Sequence, residues 1–307
     1  AETHTSCGVL RLGADGPMAR VVPAHTLMPM PWQARLSLNY RKQGPRTTLQ
    51  HEHEGPLRIF KSLYPEGDAI CHNVIVHPPG GVVGGDRLDI SVQGQAGTHA
   101  LVSTPGATRF YDGDGRTGTQ QVTINLEAGA RLEWLPLETI AYPGCMAENR
   151  IRFQLAEDAQ LLAWDVVALG LPAAGSPFTH GRFDQRIEWP GVWLEQARLD
   201  GQDRRLLDSN VGLGGRRAMA SLWFACGTAL ATAEQDRLIE AVRLSLPVGP
   251  QDGNLALAAT WSHPRLLVVR GLADTVEPLM GGLQAVWAAV RLQAWNLKAP
   301  PPRIWRV

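Results

Sequence analysis

The strongest constraint on the fold of this chain is a series of short alternating segments between about residue 33 and residue 225. Apolar and polar side chains alternate in residues 35–40, 121–126 and 150–155. A period of two residues predicts β-strands with one buried face and one solvent-facing face. Glycine, proline and aspartate separate these segments at short intervals, which favours a sandwich, barrel or coiled β architecture over alternating βα units.

One stretch of this region repeats at a distance of 29 residues. Leu126–Leu132 resembles Leu155–Leu161, and a similar turn lies at residues 95–100. Repeated strand–turn–strand units of this length stack as rungs in β-helical proteins. We therefore predict a mainly β fold, with a β-helical body of stacked strands.

Helical patterns occur only near the C-terminus. Thr232 and Gln235 form a capping-box pattern ahead of one apolar stripe, and Asp274 and Glu277 precede a second, longer stripe. Residues 255–270, between the two stripes, are typical of a β-hairpin. We expect two helices that cover the sheets or form a docking face.

The sequence predicts a single domain over residues 1–307. Its parts are an irregular N-terminal segment (1–31), a β body (32–228), and a helix–hairpin–helix region with a C-terminal tail (229–307).

Composition excludes several classes of protein. Lys plus Arg and Asp plus Glu both number 29, so the formal net charge is zero and nothing draws the chain generally towards nucleic acid. No window approaches 18 uncharged apolar residues, which predicts the absence of a membrane span. The N-terminus lacks a secretory pattern and the four cysteines form no CxxC pair, so we expect a cytoplasmic protein with reduced thiols.

The run His77–Asp86 has unusual backbone chemistry. Two prolines fix φ and remove main-chain donors, and four glycines allow left-handed or crowded geometries before the run ends at Asp86. A tight turn with a bulge between two core strands explains such a run, and so does a functional loop.

Several side chains are candidate metal ligands. His51–Glu54 fits a polar loop better than a metal site, because its two histidines lack a third fixed ligand. Cys71, His72 and His77 form a better cluster for nickel or zinc, although adjacent strand residues face opposite sides. The sequence contains no G-x-S-x-G, Walker or H-E-x-x-H motif.

Two carboxylates stand in apolar, strand-like contexts. Asp165 lies within the run Leu161–Val167, and Glu195 follows Leu194. A carboxylate in such a run must be paired, hydrated or bound to a cation, because burying it alone costs several kcal/mol. A salt bridge to an arginine and an internal wet passage lined by carboxylates both remain open.

These residues carry a resemblance to a known family. Over residues 32–307, the chain resembles the UreD (also called UreH) urease accessory proteins. The motifs that carry this resemblance are Tyr64-Pro65-Glu66, Cys71-His72, His77–Asp86, Thr104–Tyr111, Leu132–Ile140, Leu162–Asp165, Leu169-Gly170, Phe178–Gly181 and Pro302–Trp305.

The resemblance implies a β-helical body with two helices and a role that is not enzymatic. It implies that the chain binds UreF directly and UreG, a nickel-carrying GTPase, through UreF, and that the complex docks on apo-urease. Ni²⁺ would then be in transit through an internal polar channel, with no tightly bound cofactor and no contact with nucleic acid or membrane. The resemblance leaves open a dimer of heteromeric complexes.

Matching the family position by position assigns residues to this channel. The channel residues are Asp86, Thr108, Asp165 and Glu195, and the motif glycines are Gly80, Gly81, Gly84 and Gly85. Cys71, His72 and His77 are secondary candidates, because tight capture of the metal would defeat its transfer.

The chain departs from the family pattern near Leu171 and Ser176, where the family often carries an arginine and a glutamate.

Two alternatives to a nickel conduit remain. One is a scaffold without metal conduction, and the other is a metal-dependent hydrolase that uses Cys71, His72 and His77.

Overall fold

The computed structural model describes residues 31–247 and 255–306. Its strands are β1 Gln33–Gln43, β2 Arg46–Glu54, β3 Arg58–Ile59, β4 Ile70–Val76, β5 Arg87–Gly94, β6 His99–Ser103, β7 Thr108–Phe110, β8 Gly118–Leu126, β9 Arg131–Trp134, β10 Thr139–Ala141, β11 Met146–Leu155, β12 Gln160–Leu171, β13 Ser176–Pro177, β14 Arg182–Trp189, β15 Trp193–Asp200, β16 Ala218–Cys226, β17 Leu255–His263 and β18 Leu266–Ala273. Its helices are α1 Arg204–Asp208, α2 Thr232–Ser245 and α3 Val276–Trp295.

The strands form two sheets. Within the described residues, sheet I has seven strands in the order β15-β14-β11-β8-β5-β1-β2. Sheet II follows the order β17-β18-β16-β12-β9-β6-β4-β3, and β7, β10 and β13 extend it beside β12. The central strands of both sheets pair in parallel, and the chain alternates between the sheets from β5 to β6, β8 to β9 and β11 to β12. This is a coiled β body of stacked strands, as the sequence predicts.

The two copies of the sequence repeat lie on strands that pair with each other in register. Leu126 of β8 pairs with Leu155 of β11, and Leu132 of β9 pairs with Leu161 of β12. The turns between these strands also stack, with left-handed backbone at Gly97 (φ 67°), Gly129 (φ 66°) and Asp158 (φ 58°). Glycine meets that geometry at little cost, and aspartate tolerates it better than most residues.

Apolar side chains fill the space between the sheets and the space between sheet II and helices α2 and α3. Strand β12 faces both: Leu161 and Ala163 point to the first core, whereas Leu162 and Trp164 point to the second. Because both faces of β12 are buried, its sequence is a nearly continuous apolar run in which apolar and polar residues do not alternate.

The C-terminal elements agree with the prediction in type and differ at their caps. Helix α2 begins at Thr232, but its N-cap is Ala231, whose main-chain N–H donates to the Glu234 carboxylate at 3.1 Å. Alanine has no side-chain acceptor, so only half of a capping box forms, one residue before the predicted position. The N-cap position of helix α3 is Thr275, not Asp274, and its side chain makes no capping hydrogen bond. In the described residues, no helix combines the length and apolar composition that crossing a bilayer requires.

The predicted N-terminal segment 1–31 lies almost entirely outside the described residues, and the division of the chain into a β body and a C-terminal region stays a prediction. At the departure from the family pattern, Leu171 and Ser176 are direct cross-strand partners of β12 and β13.

Candidate functional site

A cavity of about 270 Å³ lies between the two sheets. Most of its wall is apolar, from residues such as Ile90, Val122 and Trp134. Its polar wall is contributed by His77, Thr108, Gln120 and Asp165, together with Thr104, Arg109 and Thr139. The fold therefore brings together two of the predicted channel residues, Thr108 and Asp165, with one secondary metal candidate, His77.

The motif glycines shape the loop that joins β4 to β5 across the two sheets. Gly80 and Gly85 have left-handed φ angles of 76° and 90°. Gly80 and Gly81 line the cavity, and a Cβ atom at Gly81 would stand 2.3 Å from the ring of Tyr111. A Cβ atom at Gly84 would stand 2.2 Å from the carbonyl oxygen of Gly113, so this crossing tolerates no side chain.

Asp86 fixes the end of this loop. Its Oδ1 accepts the main-chain N–H of Trp32 at 2.7 Å, and its Oδ2 accepts that of Val83 at 3.0 Å. The carboxylate is buried, with 2% of the residue exposed. Both oxygens are thus engaged in holding the backbone, and the role of Asp86 in a channel stays a prediction.

His77 faces the cavity from the start of the same loop. Its Nε2 is buried and has no hydrogen-bond partner among the described residues. Burial lowers the pKa of His77, with the charge of Asp86 acting in the opposite direction. A neutral imidazole nitrogen without a partner is a potential ligand for a metal or for water.

Thr108 reaches the cavity through the short strand β7. This strand pairs in parallel with β10, which places Thr108 beside Thr139, and both residues line the cavity. Two hydroxyl groups therefore stand side by side on the wall that sheet II contributes.

Asp165 lines the cavity from the face of β12 that points between the sheets. Asn149 donates to its Oδ1 at 3.0 Å, and the amide of Gln185 donates to its Oδ2. Burial raises the pKa of Asp165 to about 6; the two amide hydrogen bonds oppose this shift, and the charge of Glu195 adds to it. This carboxylate is ionised at neutral pH only against a substantial desolvation penalty.

The amides that hold Asp165 belong to a lateral row on sheet I. Gln120, Asn149 and Gln185 are register partners on β8, β11 and β14. Gln120 donates to Asn149 Oδ1 at 3.3 Å, which continues the hydrogen-bonded chain into the cavity. Parallel stacking of the coils places these polar residues in line between the sheets.

Glu195 extends the row on the far side of Asp165. Ser221 is the register partner of Asp165 on β16, and its hydroxyl donates to Glu195 Oε1 at 2.9 Å. Arg270, the partner of Ser221 on β18, places its Nη2 atom 3.1 Å from Glu195 Oε2. We call the row of Gln120, Asn149, Asp165, Gln185, Ser221 and Glu195 the polar seam.

The structure separates Cys71 from His72. Cys71 is buried in the core between the sheets and donates to Asn73 Oδ1 at 3.3 Å, and burial raises the pKa of its thiol. His72 pairs instead with Glu66 at 2.9 Å. Among the described residues, no group of three or more His, Cys, Asp or Glu side chains is arranged to hold a metal ion.

A second buried polar cluster was not anticipated from the sequence. Glu133 accepts hydrogen bonds from His99 at 2.7 Å, from Trp287 at 2.5 Å and from Arg291 at 2.8 and 3.0 Å. Arg291 also donates to Glu66, which ties helix α3 to sheet II. Burial disfavours ionisation of Glu133, but the hydrogen bond and charge of His99 and the charge of Arg291 outweigh it and lower the pKa.

The only sequence signal for this cluster is an arginine in the apolar stripe of α3. Arg291 is fully buried, and an arginine is seldom buried unless it is paired. The ion pairs of Arg291 with Glu133 and Glu66 hold helix α3 in place, so the role of this cluster is structural.

The fold and the polar seam define a coiled β protein with a buried row of carboxylate, amide and hydroxyl groups. Residues 33–306 match the UreD urease accessory protein family. The urease accessory protein UreD of Albidiferax ferrireducens is 53% identical over 276 residues, covering 90% of this chain and 99% of the relative. Those of Polaromonas naphthalenivorans and Variovorax paradoxus are 52% and 50% identical over 277 residues, with the same coverage. The chain belongs to the UreD family.

Proposed function

We propose that this chain is a non-catalytic urease maturation factor that conducts Ni²⁺ along the polar seam. In this proposal it binds UreF, which recruits UreG, and the complex docks on apo-urease. Nickel is cargo and not a resident cofactor. Membership of the UreD family supports the role in urease maturation, and the seam supports the conduction of a cation.

The observation that carries the proposal is the lack of a counter-ion at Asp165. Within the described residues, its hydrogen bonds come from two neutral amides, and no salt bridge reaches it. A buried carboxylate without a partner charge destabilises the folded protein. A passing divalent cation would supply the missing positive charge.

The ligand types along the seam also suit transfer better than storage. Carboxylate, amide and hydroxyl oxygens are weaker ligands for nickel than thiolate or imidazole. Conduction requires sites that bind an ion well enough to admit it and weakly enough to release it. His77, at the cavity, is the one secondary candidate that stands beside this route.

The hydrolase alternative receives less support from the geometry. Cys71 and His72 have different partners on opposite faces of β4, and the cysteine is held as a buried thiol. A hydrolytic metal centre requires several converging ligands and an open position for water. The described residues around Cys71 supply no such set.

The test is urease activation by the purified chain with UreF, UreG, apo-urease and nickel. Glu195→Gln removes one of the two carboxylate charges of the seam but keeps the size of the side chain and an oxygen for Ser221. We expect activation to fall by roughly tenfold, the effect of losing about 1.4 kcal/mol of cation stabilisation. Glu195→Leu, which also blocks the seam, is expected to reduce activation further.

Glu188→Gln is the matched control. Glu188 lies on the neighbouring strand β14 but on the outer face of sheet I, where it pairs with Arg186. All three variants must co-purify with UreF as the parent does. Undiminished activation and normal urease nickel content with Glu195→Gln and Glu195→Leu would reject conduction and leave the chain as a scaffold.

A further inference from the structure

The polar seam ends at a surface arginine. Arg270 projects from β18 towards the inner side of sheet II, and 57% of its side chain is exposed to solvent. It stands at the end of the row formed by Asp165 on β12 and Ser221 on β16. The guanidinium therefore separates the buried carboxylate Glu195 from solvent.

The pairing between Arg270 and Glu195 is incomplete. Nη2 lies 3.1 Å from Glu195 Oε2, yet this buried oxygen has no aligned hydrogen-bond donor among the described residues. The residue Glu195 is only 8% exposed. A buried carboxylate oxygen in this state retains an electron pair that a cation could use.

The arginine is also weakly held on its other sides. Its guanidinium lies 5.8 Å from the ring centre of Trp193, a loose cation–π contact. Arg291, by contrast, is completely buried and donates to Glu133, Glu66 and the carbonyl oxygen of Lys298. An exposed guanidinium can move into water at small cost, whereas the buried one cannot.

We propose that Arg270 is the electrostatic gate of the polar seam: it occupies the cation position at Glu195 and must move into solvent before a divalent cation enters or leaves there. This inference rests on the proposed function, because it assigns a gate to the same seam. Guanidinium and divalent cation exclude each other at one carboxylate, since both are positive and both need the same oxygen.

The gate is tested by nickel binding, which does not depend on urease. Equilibrium dialysis of the full chain bound to UreF, with Ni²⁺ alone as the probe, measures affinity for the wild type and for Arg270→Ala, Arg270→Gln and Arg270→Lys. Removing the competing charge is expected to tighten binding by about tenfold in the Ala and Gln variants. The Lys variant keeps the charge and is expected to bind like the wild type.

Two controls make the result specific. Arg198→Ala removes an exposed arginine from β15, the strand of Glu195, but from its outer face, where Arg198 pairs with Asp184 at 2.9 Å. This variant is expected to bind nickel like the wild type. Adding Glu195→Gln to Arg270→Ala is expected to abolish the gain in affinity. The gate is rejected if Arg270→Ala and Arg270→Gln, folded by circular dichroism, bind nickel as the wild type does.

Failure of the gate and failure of the conduit give different results. If Glu195→Gln reduces urease activation while the Arg270 variants leave nickel affinity unchanged, the conduit stands without this gate. If Glu195→Gln and Glu195→Leu both leave activation and urease nickel content intact, the conduit itself is rejected, whatever the Arg270 variants do.

Discussion

Replacing Asp165 by asparagine should stabilise the folded protein at alkaline pH. The folded-state pKa of about 6 lies above the ordinary value of 3.8, because burial disfavours the charged form. Between these pH values the folded protein holds a proton that the unfolded chain releases. The free energy of unfolding therefore falls as pH rises from about 4 to about 6, and it stays at the lower level above that range.

The size of the effect follows from the same two values. The difference between 3.8 and about 6 corresponds to about 3 kcal/mol of unfolding free energy. Asparagine carries no charge to desolvate. Its oxygen can still accept from Asn149, and its amide can donate to Gln185 Oε1 once the side-chain amide of Gln185 flips by 180°. We expect Asp165→Asn to be more stable than the wild type by about 1–3 kcal/mol at pH 8.

Urea denaturation followed by tryptophan fluorescence measures this difference at pH 8 and at pH 4. The advantage of the variant should shrink towards pH 4, where the wild-type carboxyl is protonated in the folded state and partly protonated in the unfolded chain. Asp184→Asn, on the outer face of sheet I with ion pairs to Arg182 and Arg198, is the control and should gain no stability at pH 8. A destabilised Asp165→Asn, or an advantage that is equal at both pH values, would refute the reasoning.

Three further predictions concern other parts of the fold. Arg291→Met leaves Glu133 and Glu66 without their shared cation. The free energy of unfolding, measured by urea denaturation, should drop by about 3–5 kcal/mol, and adding Glu133→Gln should recover part of the loss. Gly84→Ala should destabilise the β4–β5 crossing and lower the yield of folded protein, unlike Gly106→Ala, which has open space around its Cβ position. Cys145 and Cys226, whose thiol pKa values burial raises to about 12, should react with a thiol reagent at pH 8 only after unfolding; rapid labelling of the native protein would contradict the structure.

The Asp165 variant also connects stability with function. If the carboxylate destabilises the fold and an amide fits in its place, the charge serves a purpose other than folding. Asp165→Asn should therefore reduce urease activation while it raises stability. A variant that gains stability and keeps full activation would separate the two properties and count against conduction.

Local patterns in the sequence were sufficient for the architecture. Alternation marked strands such as β8 and β11, and the resemblance of Leu126–Leu132 to Leu155–Leu161 identified two turns that stack in register. The apolar stripe of α3 is also visible in the sequence, because helical periodicity depends on neighbours three and four residues apart. Cap positions were less well determined, since one-residue shifts at a helix end leave the pattern almost unchanged.

The candidate site depended on the tertiary structure. The sequence marked Asp165 and Glu195 as carboxylates in apolar runs, but it left open whether each is paired with an arginine or lies along a passage. Parallel pairing of β8, β11 and β14 aligned Gln120, Asn149 and Gln185 beside Asp165, and antiparallel pairing of β12, β16 and β18 brought Arg270 to Glu195. These residues lie on strands far apart in the chain, and their contacts follow from the register of the sheets.

The sequence by itself determined that this chain forms a coiled β body with C-terminal helices, because side-chain periodicity and turn chemistry act over a few residues. Only the tertiary structure decided which buried charges have partners. It gave Glu133 an arginine from a helix more than 150 residues away, gave Asp165 only neutral amides, and left Glu195 under an exposed guanidinium. The free energy of a buried charge depends on the groups around it in space, and no local pattern specifies those groups.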